Sequence, residues 1–372
     1  MQIPLLDIAR FSRNVSKEWL AMAEEIVSSG RILKGPYKKK FEEEFARYLG
    51  VEHVLGVASG TDALVLSLEA LGIGPGDEVI THANAFISDV EAVLALGAKP
   101  VLVDKEELGC GPDVSLLELA INARTKAILV VHLCGFPADL DSIREVAIGY
   151  GLPIVEDVSQ AQGAKYGSHR LGSFGSINAM SLGPVKNLAA VGDAGCIATD
   201  DPELYEKVRL LADHGQERKY EHRIYGWNSR LDELQAAWLL LGLKTLDERN
   251  AQRRDIYERY REAFSDLPVN CMIEFPHSTC VYHQAIIETA ERDQLRTYLE
   301  ERHVGTGIYY PYALHEQGAW KAAGFPEMDL PRAERYAREN LALPVFPELT
   351  PEEIKHIIAS VRSFFGASFY RG

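Results

Sequence analysis

The chain is short of cysteine, has no long apolar run and has no excess of positive charge. Each absence removes a class of function. Its 372 residues include five cysteines, Cys110, Cys134, Cys196, Cys271 and Cys280, an odd number with no Cys-x-x-Cys pair. Such a set reads as reduced, mostly buried thiols and not as a disulfide framework. No apolar stretch approaches the roughly 20 residues that span a bilayer. The opening residues, Met1 to Asp7, lack the charged and apolar regions of a secretion signal. Lys and Arg total 39 against 54 Asp and Glu, a net charge of −15, which opposes binding to nucleic acid or to an acidic membrane surface. HExxH, Walker and Cys/His metal spacings are missing, so no metal is expected. A cytoplasmic protein with no membrane partner remains, and its anionic ligands must be held by local donors.

Against these absences stand 47% hydrophobic and 25% charged residues, a balance that supports a packed core over more than one domain. From about residue 50 to 200, short β-rich runs alternate with segments of helix length. The strand candidates are Glu78–Thr81, Pro100–Asp104, Lys126–His132, Pro153–Asp157, Ile177–Ser181 and Cys196–Thr199. Their near-continuous Val, Ile and Leu content suits strands buried on both faces of a mostly parallel sheet. Thr61–Leu71, Phe86–Leu96 and Leu140–Tyr150 read as helices, each followed by a glycine where a left-handed cap is wanted. The pattern predicts an α/β domain with ligands at the carboxyl ends of its strands.

Arg230 to about Phe264 reads as one long helical stretch. Beyond it, Val281–Glu288 and Gly305–Tyr310 read as strands, and Arg292–Arg302 and Pro351–Phe365 as helices, without strict alternation. The expected organisation is an N-terminal helical segment over 1–30, a large domain over 31–245 and a smaller α+β domain over 246–372. The first segment is expected to pack on the small domain or on a partner subunit.

Chemistry concentrates at a few points. Lys186 lies among small and apolar residues, Ser181-Leu-Gly-Pro-Val-Lys186-Asn-Leu, where poor solvation lowers the pKa of an ammonium towards a reactive amine. Such an amine can form a Schiff base. Taken alone it reads more readily as a solvated surface lysine in a glycine-rich loop. Asp157 closes the run Pro153-Ile-Val-Glu and can pair with a protonated pyridine nitrogen; its plainer reading is a helix cap. Gln160, three residues on, can bond a phenolic oxygen.

Ser59, Gly60 and Thr61 open a helix, where free amides and hydroxyls bind phosphate, and Ser181 is a second hydroxyl of that kind. Phe86 stands where an aromatic face can stack on a ring. Arg218, Lys219, His222 and Arg223, with Tyr220 among them, form a basic cluster able to grip a phosphorylated substrate, or simply a solvated loop. Tyr310 and His315 form a polar-aromatic group near the C-terminal part.

Ordered segments extend these points over nearly the whole chain. They are Ile3-Pro-Leu-Leu-Asp7, Leu33-Lys-Gly-Pro36, Ala58-Ser-Gly-Thr-Asp-Ala-Leu64, Gly72-Ile-Gly-Pro-Gly-Asp-Glu-Val-Ile-Thr81, Gly97-Ala-Lys-Pro-Val101, Glu156-Asp157 with Gln160, Lys186-Asn-Leu, Asn228-Ser-Arg-Leu-Asp-Glu-Leu-Gln-Ala-Ala237 and Leu343-Pro-Val-Phe-Pro347. In order and spacing the chain resembles the DegT/DnrJ/StrS sugar aminotransferases, which have the fold-type I pyridoxal-phosphate architecture.

The resemblance implies a Schiff-base role for Lys186, a pyridine partner in Asp157, a phenolic-oxygen contact from Gln160 and ring stacking by Phe86. It implies phosphate contacts from Gly60, Thr61 and Ser181. Asn228 would reach the phosphate of the neighbouring subunit, so a homodimer with shared sites is implied. Pyridoxal 5'-phosphate would be the cofactor, with pyridoxamine 5'-phosphate formed in turnover. L-glutamate would be the donor and a nucleotide-linked keto-sugar the acceptor, with a lean towards a 3-keto-6-deoxy sugar from the stretch His214 to His222.

The chain departs from the pattern at Leu182-Gly183, where an aromatic is usual, at Ala194 within Gly192-Asp-Ala-Gly195, and at His82, which replaces a common proline. Three other readings stand beside this one. A keto-cyclitol aminotransferase would share the site; a pyridoxamine-phosphate-dependent sugar dehydratase usually has histidine in place of Lys186; a non-enzymatic regulator would keep only the fold.

Overall fold

The computed structural model describes residues 2–107 and 109–368. A seven-stranded sheet carries the larger part of the chain. Its strands are β1 (His53–Val57), β2 (Glu78–His82), β3 (Lys99–Val103), β4 (Thr125–Val131), β5 (Ile154–Asp157), β8 (Ile177–Ser181) and β9 (Gly195–Thr199), ordered β1-β9-β8-β5-β4-β2-β3. Only β9 runs against the rest, antiparallel to both β1 and β8. Between β5 and β8 in the chain, the short strands β6 (Lys165–Tyr166) and β7 (His169–Arg170) pair with each other, and β6 also pairs with β13 (Ser278–Thr279).

Alternate strand residues feed two cores, which is why these strands read as unbroken apolar runs. Ile80, Ile128, Val130, Ile154 and Met180 face one core. It is closed by α2 (Pro36–Leu49), α5 (Val114–Ala120), α6 (Leu140–Tyr150) and α8 (Glu233–Leu243). Val79, Leu129, Val155, Ile177 and Ile197 face the other. That one is closed by α3 (Gly60–Ala70), α4 (Ile87–Ala95) and α7 (Pro202–Ala212), with Trp320 of α11 (Gly318–Ala322) and Ala333 of α12 (Pro331–Glu339) at its edge. Gly151 ends α6 in the left-handed region at φ 65°, the conformation only glycine takes without strain.

A third core belongs to the C-terminal part. There β12 (Asn270–Cys271), β14 (Ala285–Glu288) and β15 (Asn340–Leu343) form an antiparallel sheet. It packs with α9 (Leu246–Ala263), α10 (Arg292–Glu300) and α13 (Pro351–Ser368) around Tyr257, Tyr260, Leu295 and Ile357.

Three sequence expectations change. The long helix expected over 230–264 is two helices, broken at Lys244 and Thr245. Apolar α8 stays in the first core while Ile256, Tyr257 and Tyr260 of α9 enter the third, so the chain must turn between them. Gly305–Tyr310 forms no strand: Gly307 makes a single bridge to Ala342, and the Asn340 side chain then replaces the ladder by accepting from the Tyr309 amide at 2.8 Å. The third strand is β15, hidden in the sequence by its brevity. The N-terminal helix α1 (Ile8–Ser29) lies mainly along α8, with Trp19 edge-on to Trp238 and donating to the Leu234 carbonyl at 3.1 Å. Contacts with the C-terminal part come from its start, where Arg10 pairs with Glu353 at 2.6 Å.

Candidate active site

The carboxyl ends of β1, β2, β5 and β8 meet along one edge of the sheet, where the chain turns outward and ligands are accommodated. Gly195, at the start of β9, stands opposite both Val57 and Ser181 and so joins the β1 and β8 ends. The close fit depends on missing side chains. A Cβ on Gly60 would lie 2.4 Å from the Ser181 Cβ, and one on Gly195 would lie 2.2 Å from the Ser59 carbonyl oxygen. Ala194, where the related pattern has glycine, takes a side chain without disturbing this contact, since the packing-critical position is Gly195.

Ser59 caps α3, its Oγ accepting from the Asp62 amide at 3.1 Å and its carbonyl from the Ala63 amide at 3.0 Å. The amides of Gly60 and Thr61 precede the first helical hydrogen bond, so they need an outside acceptor. With Thr61 and Ser181 they line a cavity of about 260 Å³ that also takes in Phe86, Asp89, Asp157, Gln160 and Lys186. Helix-start amides, hydroxyls and glycine at van der Waals limit make an anion cradle.

Lys186 lines this cavity too, partly shielded from water. Burial pushes its ammonium pKa down, against the Asp157 charge, which pushes it up. Asp157 is itself anchored, accepting from the Ser159 amide at 2.8 Å. Behind it, Glu156 accepts from the amides of Gly172, Phe174 and Gly175 and pairs with His132 at 3.0 Å. The His132 Nδ1 accepts from the Ala138 amide, so its proton is on Nε2 and is donated to Glu156.

Asp89, in the first turn of α4, was not singled out from the sequence. It is fully buried, neither carboxyl oxygen has a hydrogen-bond partner, and burial followed by the nearby Asp157 charge raises its pKa well above the usual carboxylate range. An acidic residue in a first turn usually only complements the helix dipole, so nothing in the sequence marks it.

Lys186, Val185, Gln160 and Phe86 also border a second cavity, of about 330 Å³, closed by Tyr309, Tyr310, Gln284, His283 and Arg253. Gln160 is held on both sides: its Oε1 accepts from the Cys134 amide at 2.7 Å and its Nε2 donates to the Tyr310 hydroxyl at 3.0 Å. One N–H of that amide remains for another acceptor. The Phe86 ring is about half exposed at the mouth, 5.6 Å from Tyr310.

Several expected residues lie elsewhere. His315 is buried against Glu334, its Nε2 3.2 Å from Oε1, and borders neither cavity. Arg218, Lys219, Tyr220 and His222 sit on an exposed hairpin of β10 (Gln216–Arg218) and β11 (Glu221–His222), outside both cavities of their own chain. Asn228 is likewise exposed, bridged to Asp213.

A carboxylate at a strand end, a desolvated lysine, an anion cradle at a helix start and an aromatic at the mouth fit pyridoxal phosphate. Together with the sheet order they define a fold-type I pyridoxal-phosphate enzyme. The family model for the DegT/DnrJ/EryC1/StrS aminotransferase family matches residues 13–362, and the chain belongs to that family: it is a pyridoxal-phosphate-dependent aminotransferase.

Its relatives include the dTDP-3-amino-3,4,6-trideoxy-alpha-D-glucose transaminase of Streptomyces venezuelae, 42% identical over 98% of this chain and 96% of the relative. Another is the UDP-N-acetyl-3-dehydro-alpha-D-glucosamine 3-aminotransferase of Acidithiobacillus ferrooxidans, 39% identical over 97% of each. Among solved structures, S. venezuelae DesV in complex with a ketimine intermediate superposes with a TM-score of 0.95, at 42% identity and 98% coverage of both chains. Among the described residues no helix is long and apolar enough to cross a membrane.

Proposed function

We propose that this enzyme transfers an amino group from an amino acid, L-glutamate, to a keto-sugar carried on a nucleoside diphosphate, with a 3-keto-6-deoxy sugar favoured. The carrying observation is the position of Lys186, a desolvated amine bordering one cavity with an anion cradle and a second, larger one where Gln160, Gln284, Tyr310 and Arg253 stand among apolar side chains. The substrate class follows from the names of the relatives above. In this reading the enzyme is cytoplasmic and works as a homodimer, and Asn228 and the exposed hairpin of Arg218, Lys219, Tyr220 and His222 serve the partner's site. Their exposure beside uncovered Tyr225 and Trp227 supports that assignment.

The residues divide the work. Gly60, Thr61 and Ser181 would hold the cofactor's phosphate, Asp157 its pyridine nitrogen and Phe86 its ring face, with the free N–H of Gln160 directed to its phenolic oxygen. The bound cofactor supplies an electron sink for the carbon that loses its proton. Lys186 Nζ, kept short of protons by burial, would take the proton from the donor's α-carbon and deliver it to the cofactor carbon that retains the amino group; with the keto-sugar it would carry a proton from that carbon to the acceptor carbon. Tyr310, bonded to Gln160, lines the second cavity beside Lys186. Incubating holoenzyme with glutamate and a panel of nucleotide-linked 3- and 4-keto-sugars and keto-cyclitols tests the reading; amination of cyclitols alone would overturn the substrate class.

A further inference from the structure

One cation in the second cavity has no work in the account above. Arg253, on α9, is 4% exposed. Its one hydrogen bond is from Nη1 to the Val345 carbonyl. Glu348, the carboxylate that acts on it, is committed to Arg249 at 2.5 Å. A guanidinium removed from water and left without a carboxylate is costly, and burial accordingly depresses its pKa to about 9. The side chain borders the cavity that Lys186 also borders.

The imidazole on that wall, His283, adds no second charge. Asn187 Nδ2 donates to Asn250 Oδ1 at 2.9 Å and to the Val281 carbonyl at 3.1 Å, which orients its amide. Its Oδ1 then faces His283 Nδ1 at 3.0 Å, so that nitrogen carries the proton. Burial, with Lys186 and Arg253 nearby, keeps His283 neutral. Among the described residues Arg253 is therefore, beside Lys186, the cation lining this cavity, and a planar fork of donors suits a carboxylate in two-point contact.

We infer that Arg253 is the anchor for the α-carboxylate of the amino donor. The inference rests on the aminotransfer reading above. Both substrates carry anions, but at different distances from the reacting carbon. The donor's α-carboxylate is bonded to the carbon whose proton Lys186 removes, so its site must adjoin Lys186. The acceptor's diphosphate is separated from its reacting carbon by the sugar ring, so its site must lie farther out. Fixing the carboxylate also sets which C–H bond faces the amine, a positioning effect.

The test follows the two half-reactions of the holoenzyme separately, by the visible absorbance of the bound cofactor. With L-glutamate, Arg253→Met is expected to raise the half-saturating donor concentration about 100-fold, and Arg253→Lys about tenfold. The keto-sugar half-reaction of enzyme loaded with pyridoxamine phosphate stays as in the wild type. Independently of any variant, wild-type enzyme should show about the same 100-fold penalty for L-isoglutamine, whose α-carboxylate is an amide, and Arg253→Met should add none to it. Unchanged glutamate saturation in Arg253→Met, or equal use of glutamate and isoglutamine by the wild type, overturns the assignment. A loss confined to the keto-sugar half-reaction overturns it in favour of the diphosphate. If wild-type holoenzyme reacts with no amino acid, the aminotransfer reading fails instead, and the two failures are distinct.

Discussion

Asp89 and Asp157 bring two carboxyl groups together beside Lys186, on the wall of one cavity. Two such groups in a low-dielectric site do not both ionise freely. The structure resolves the conflict unequally: Asp157 has the Ser159 amide, whereas Asp89 has no hydrogen-bond donor and is fully buried.

The inequality has a sign in stability. Asp89 holds its proton in the folded state at pH values where the unfolded chain has released it, so the folded state binds more protons and stability falls as pH rises above the unfolded value of about 3.9. Asp89→Asn should therefore stabilise the cofactor-free protein at pH 8 by roughly 1–2 kcal/mol, with a smaller gain at pH 4.5. Urea denaturation at the two pH values measures it. An equal effect at both would remove the charge conflict as its cause.

Lys186→Ala should cost at least about 10³-fold in turnover, because it removes both the covalent anchor and the group that moves protons. Borohydride treatment followed by peptide mass analysis should find the cofactor fixed to the Lys186 peptide in the wild type and to no peptide in the variant.

Gly60→Ala puts a methyl 2.4 Å from the Ser181 Cβ and 2.8 Å from its Cα. A strand-end backbone cannot yield as a flexible side-chain tip would, so a loss of about 1–3 kcal/mol of stability is expected. Cofactor affinity should fall with it, since the same contact shapes the phosphate cradle. Thermal unfolding and fluorescence titration with pyridoxal phosphate report the two effects.

Glu156 holds the strand end that presents Asp157. Burial pushes its pKa up, but the bond from His132 and the amides of Gly175 and Gly172 outweigh that and leave it lowered. Its contribution is present above the unfolded value and is lost as pH falls through the folded one. Glu156→Ala leaves three amides and His132 unpaired, and about 3–5 kcal/mol of destabilisation is expected, shrinking at acid pH, by urea denaturation.

The part of the site legible in the sequence lies where a strand stops. Asp157 and Ser181 terminate apolar runs, and Gly60 follows one by three residues, so pattern alone places them on the ligand edge. Arg253 was not legible, because Arg253-Arg254 sits in the most charged helix of the chain and only burial separates the two neighbours. Asp89 was hidden by a first-turn position that acids commonly occupy for the helix dipole. The exposed hairpin shows the opposite limit: a basic cluster announces an anion, but not which subunit's anion. Likewise, the break between α8 and α9 arises from two cores competing for one helical stretch, a tertiary effect that Gly242, just before the break, only hints at.

Lys186 borders both cavities and, with Phe86, Gln160 and Val185, makes the wall between them. Movement of Lys186 during the reaction joins the two spaces beside it, giving a slot that runs from the α3 amides to the Arg253 guanidinium. A single inhibitor with an anion at each end would span it, and would gain from linkage what two separate fragments lose in association entropy.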